Sequence, residues 1–129
     1  MFDPDSEIDD MLWDTIGAAS GDEAAFLDAL NQMGKEGVLR VFQAYVLART
    51  ELVDRLVATE RAPGASEDTM DDLADSMVCQ GRLVYLDVFR GDADLPHRDR
   101  WHQLPGLIHV LGDVFYDRFD EDIYDHLED

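Results

Sequence analysis

The chain has 129 residues, with 30 Asp and Glu against 10 Lys and Arg, giving a formal net charge of −20. This length suits one domain with a core of ordinary stability, and 46% hydrophobic residues exclude an acidic disordered tail. A field of this sign repels nucleic acid and anionic membranes and speeds encounter with cations, so the expected partner is a basic protein.

Residues 1–34 hold nine carboxylates and no cation. Within them, Ser6 followed by Asp9 resembles a capping box with Asp in place of Glu, and predicts a short helix with apolar positions Ile8, Met11, Leu12 and Ile16. Residues 17–21 read as a break. Asp22 and Glu23 then suit the positive end of a second helix carrying Phe26, Leu27, Leu30 and Met33, which Gly34 ends. The longest predicted helix covers about 36–61, with Leu39, Phe42, Val46, Val53, Leu56 and Val57 recurring at helical spacing.

Ala62-Pro63-Gly64-Ala65 reads as a turn, and Ser66 as the cap of a fourth helix over 67–90 that Gly91 terminates. Its start carries the second acidic block, Glu67, Asp68, Asp71, Asp72 and Asp75. Residues 92–105 contain Pro96 and Pro105 without helical periodicity, and read as a loop of a length that often carries function. The last predicted helix, about 106–126, has Leu107, Ile108, Leu111, Val114, Phe115, Phe119, Ile123 and Leu127 on one face. Asp113, Asp117 and Asp120 stand on the other, within a third acidic block of eight carboxylates against Arg118. With no alternating strand pattern, the expectation is an all-α chain: a single helical domain over 1–129, a bundle of about five helices.

No apolar run approaches the roughly 20 residues needed to cross a bilayer, and the acidic first ten residues are unlike a signal peptide. The single cysteine, Cys79, cannot form an internal disulfide and lies in an apolar helical run, so the expected compartment is the cytoplasm. Two other origins of the charge stand beside partner binding: solubility at high salt, since Lys35 is the only lysine, and a GC-rich codon composition. Clustering of the carboxylates into three blocks tilts the reading toward a partner.

Several segments carry a family resemblance in order: Met11-Leu12-Trp13-Asp14-Thr15-Ile16, then Cys79-Gln80-Gly81-Arg82-Leu83-Val84-Tyr85, then Asp92-Ala93-Asp94-Leu95-Pro96. His109-Val110-Leu111-Gly112-Asp113-Val114-Phe115-Tyr116 follows, with Asp120-Glu121-Asp122 at the acidic end. Together they resemble a bacterial family known only as domain of unknown function 4240. The family usually begins Phe-Trp where this chain has Leu12-Trp13. The resemblance implies a helical fold and no established activity. Within it, Gly81 reads as a mid-helix glycine kept for close packing, with Trp13 a neighbour, Tyr85 in the core and Arg82 paired to a carboxylate.

For catalysis the sequence offers no phosphate-binding glycine loop, no HExxH and no paired cysteines. Cys79 is a nucleophile only if a cation such as Arg82 or a histidine lowers its pKa, and an apolar helix face argues instead for packing. His109, Asp113 and Asp117 fall at i, i+4 and i+8, a spacing that suits helical metal ligands but equally a solvated face, so no metal is assigned. Cations, histidines and aromatic surface converge only in His97-Arg98-Asp99-Arg100-Trp101-His102. Arg98, Arg100 and Trp101 there are either interface anchors or a plug that neutralises helix ends.

The reading that follows is a non-catalytic acidic protein, without cofactor, that neutralises a basic partner: an immunity or antitoxin protein, or a mimic of nucleic-acid charge. Asp71, Asp75, Asp113, Asp117 and Asp120 are its expected charged surface, with Trp101 as anchor. It is expected to be a monomer or small homo-oligomer. The alternative is a housekeeping domain whose acidity serves solubility or salt adaptation, and a third reading is a metal-dependent or thiol enzyme using His109 or Cys79.

Overall fold

The computed structural model describes residues 2–20, 22–96 and 106–127. Among the described residues there are six α-helices and no strand: α1 (Asp10–Ala19), α2 (Glu23–Asn31), α3 (Lys35–Ala58), α4 (Glu67–Cys79), α5 (Arg82–Arg90) and α6 (Ile108–Phe119). A short 3₁₀ turn, Ile123–His126, follows. None of these helices is long and apolar enough to cross a membrane.

The long helix α3 is central because it buries residues around much of its circumference: Val38, Val41, Phe42, Ala44, Tyr45, Ala48, Leu52 and Leu56. α1, α4, α5 and α6 all pack against it. α2 is held on α1 and α6, and its Phe26 and Leu30 enter the same hydrophobic cluster as Leu111 and Phe115 of α6. Of the apolar positions expected on α3, Val57 is exposed, because it lies in the last turn beyond the packed face.

The helix ends depart from the sequence reading in three places. Asp9, rather than Ser6, caps α1, accepting from the Met11 amide at 2.9 Å. Ser6 instead closes a preceding turn, its hydroxyl donating to Asp3 at 2.8 Å. The helix expected over 67–90 is two helices, since Gly81 takes φ +105°, a left-handed value that favours glycine and that no α-helix contains. A Cβ there would meet no other atom within 4 Å, so Gly81 turns the chain and does not admit a neighbour. The last helix stops at Phe119 because Asp120 adopts the left-handed conformation, and Ile123 reaches the core from the 3₁₀ turn.

Tyr85 is in the core and Arg82 is paired as expected, but Trp13 packs on Tyr85 and not against Gly81. The Trp13 and Tyr85 rings lie 5.3 Å apart in the core, and the Tyr85 hydroxyl donates to the Ala48 carbonyl at 2.7 Å. Arg82 pairs with Asp5. Two α3-side arginines secure the far end of α5: Arg55 donates to the Phe89 carbonyl at 3.2 Å, and Arg61 to the carbonyls of Val88 and Ala93. Val88 and Phe89 lie in the last turn of α5, whose carbonyls lack i+4 partners within the helix, and Ala93 lies just beyond it.

Candidate functional site: an acidic groove between α2 and α6

Sequence spacing placed Asp113 and Asp117 on one side of α6, and folding brings the N-terminus of α2 to meet them. Asp22, Glu23, Ala24 and Leu27 from α2, with Val110, Asp113, Val114 and Asp117 from α6, line a groove of about 600 Å³. The apolar floor arises because Val110 and Val114 stand four residues apart on α6 and Leu27 joins them from α2. Leu27 is 39% exposed, against an expectation of core, because α2 turns Phe26 and Leu30 inward and leaves Leu27 at the groove.

The charge of this groove is little neutralised. Asp22 spends one carboxylate oxygen on the Ala24 amide, at 3.0 Å, and His109 Nε2 lies 3.4 Å from Glu23. Arg118, the cation in the last turn of α6, is directed elsewhere: it donates to the Leu30 carbonyl at 2.9 Å and covers the Phe119 ring. Lys35 is held by Glu121. Among the described residues Asp113 and Asp117 form no ion pair, so their field extends into solvent. Asp120 is exposed one residue beyond α6, and Asp71 is exposed on α4, a helix packed on α3 and α5.

Asp75 does not belong to the charged surface. It is buried, and the Tyr45 hydroxyl donates to its carboxylate. The Leu107 amide donates to the Tyr45 oxygen at 3.2 Å and approaches the Asp75 carboxylate at 3.4 Å. Leu107 has no cap of its own to offer α6, so Asp75 from α4 and Tyr45 from α3 serve the helix start from outside. A Cβ on Gly106 would overlap the Asp75 carboxylate, which makes Gly106 the glycine that permits a close approach. Burial raises the Asp75 carboxyl above its ordinary value, opposed by the Tyr45 hydroxyl, the Leu107 and Ile108 amides and Arg49. The same burial, reinforced by Asp75, holds the Tyr45 phenol well above its usual value.

Cys79 faces this interior. It is buried, its Sγ donates to the Ser76 carbonyl at 3.1 Å, and burial with the nearby Asp75 pushes its thiol up to about 11. That is the reverse of the shift that activates a nucleophile. Among the described residues no group of three or more His, Cys, Asp or Glu side chains is placed to hold a metal ion. Arg98, Arg100 and Trp101 lie outside the described residues.

Sequence reasoning missed Asp22, Glu23 and Leu27 as companions of Asp113 and Asp117. The one signal for them was the acidic first turn of α2, which reads locally as ordinary helix capping. No protein-family model, curated protein or solved structure matches the chain.

Proposed function

We propose that the chain is a non-catalytic acidic protein of the cytoplasm that binds and neutralises a basic protein partner. The carrying observation is the groove, where carboxylates from two separate acidic blocks surround an apolar floor and Asp113 and Asp117 have no ion pair among the described residues. Steering by the whole field of −20 would bring a cationic partner in, and the groove would hold it. The concrete form is an immunity or antitoxin protein covering the cationic active site of a toxin, or a mimic of nucleic-acid charge. Asp113, Asp117 and Asp120 form the docking charge, and Asp71 contributes to steering. Kinship with domain of unknown function 4240 is part of the proposal and brings no activity with it.

The test is affinity capture of the tagged chain from its native lysate at low and high salt. A basic protein recovered near one to one at low salt and released at high salt supports the reading. Recovery of the chain alone overturns it, and retention of the partner when Asp113, Asp117 and Asp120 are all changed to Asn overturns the assignment of that surface.

The second reading, acidity in the service of solubility, draws on α4. Glu67, Asp68, Asp71 and Asp72 are all exposed there, on a helix that packs mainly on α3 and α5. It predicts a fold that loses stability at low salt and that has no partner.

A further inference from the structure

The groove between α2 and α6 points to one kind of occupant, and this inference rests on the basic-partner reading above. We propose that it docks an amphipathic helix of the partner, with apolar residues on the groove floor and Lys or Arg on both flanks.

Three observations carry the proposal. The groove walls are helix ridges at a spacing of four residues: Glu23 and Leu27 on one side, and Val110–Val114 with Asp113–Asp117 on the other. Ridges of this spacing accept the side chains of a third helix. The floor is apolar and Leu27 is 39% exposed, while the rim is anionic on both sides, with Asp22 and Glu23 at the start of α2 and Asp113 and Asp117 along α6. Charge complementarity therefore selects a cationic occupant, and the floor selects one with an apolar stripe. One route open to an extended peptide, adding a strand to a sheet edge, is not offered among the described residues, which include no strand. The helices have matching reach: α2 and α6, of 9 and 12 residues, run about 13 and 18 Å, which suits two to three turns of a third helix.

The test titrates the full-length protein with two labelled peptides of identical composition. One places Leu at i, i+3, i+4 and i+7 with Lys and Arg flanking the stripe, and the other scrambles the same residues. The expected result is at least tenfold tighter binding of the amphipathic peptide. That binding should fall at least tenfold with Leu27→Asp, substantially with Leu27→Ala, and at least tenfold with Asp113→Asn combined with Asp117→Asn. An equal charge removal on α4, Asp68→Asn with Asp72→Asn, both exposed there, should change it by less than about threefold. Circular dichroism of each variant separates misfolding from lost binding.

Equal binding of both peptides, unaffected at Leu27 but weakened by the Asp113 and Asp117 changes, overturns helix docking and leaves the basic-partner reading standing. Binding of neither peptide, while a basic protein is still captured from lysate, overturns docking in this groove alone. No peptide binding and no captured protein overturn both. A concentration-dependent dimer that Leu27→Asp abolishes would assign the groove to a second copy of the chain and overturn the proposal.

Discussion

In the N-terminal segment, Asp5 holds Arg82 and stands 3.8 Å from Arg90, and Asp9 caps α1 while accepting from Arg40 at 3.0 Å. Phe2 fastens the same segment to Phe89, with ring centroids 5.9 Å apart. In the groove between α2 and α6, by contrast, Asp113 and Asp117 have no such cation among the described residues, and Arg118 is spent on the Leu30 carbonyl. Both regions draw on the acidic blocks of the sequence, and Asp22 and Glu23 of the groove come from the same block as Asp5 and Asp9. The first uses carboxylates to fasten a segment to the bundle, and the second turns them toward whatever approaches. Net charge alone does not separate these uses; the position of the few arginines does.

Substitutions that remove one carboxylate at a time sharpen the contrast, and the largest effect falls on the acid most involved in folding. Asp75→Ala should destabilise by about 1–3 kcal/mol, because it removes the buried carboxylate that accepts from the Tyr45 hydroxyl and lies 3.4 Å from the Leu107 amide. Urea unfolding followed by circular dichroism measures it. This carboxyl also sets a pH signature. Its value is raised in the folded state, so its contribution is fully present below the ordinary carboxylate pKa of 3.8 and is lost as pH rises through the folded value. Wild type should therefore lose ground to Asp75→Asn between acid and neutral pH; parallel urea midpoints for the two proteins across that range would refute it.

Asp9→Ala comes next, at about 1 kcal/mol, for loss of the α1 cap. Here the sign is opposite, because the Met11 amide and Arg40 lower the Asp9 carboxyl. Its contribution is present above the ordinary carboxylate value and lost as pH falls through the folded one, so the penalty of Asp9→Ala should shrink in strong acid. Asp5→Asn should cost less, about 0.2–1 kcal/mol, since its pairs with Arg82 and Arg90 are nearly half exposed and screened, and added salt should diminish the difference. Asp113→Asn with Asp117→Asn should alter stability by no more than about 0.5 kcal/mol, with relief of repulsion favouring the variant at low salt. A thermal melt of that double variant showing a loss as large as that of Asp9→Ala would erase the contrast.

Much of the fold was legible because its signals are local. Ser66 caps α4 through the Thr69 amide at 3.2 Å, Asp22 caps α2, and Gly91 ends α5 with φ +81°, all as residue type predicts. The break at Gly81 escaped because apolar residues continue at helical spacing on both sides, from Met77 and Val78 to Tyr85 and Val88, and periodicity does not register one residue's φ. The end of α6 was overrun for the same reason, since Ile123 keeps its place in the core across the turn at Asp120.

The site was legible only in part. Asp71 and Asp75 stand one helical turn apart on α4 and look alike in sequence, yet one is exposed and the other buried. What separates them is the approach of Gly106 and Leu107 to Tyr45 and Asp75, a contact between segments distant in sequence. The meeting of Asp22 and Glu23 with Asp113 and Asp117, some ninety residues apart, is likewise a product of packing that no local pattern encodes.

The most direct measurement is hydrogen–deuterium exchange of the chain alone and with its captured basic partner, resolved by segment. Added protection is expected over residues 22–31 and 108–119, with residues 3–10 unchanged. Protection of the N-terminal segment with the two groove helices unaltered would contradict it.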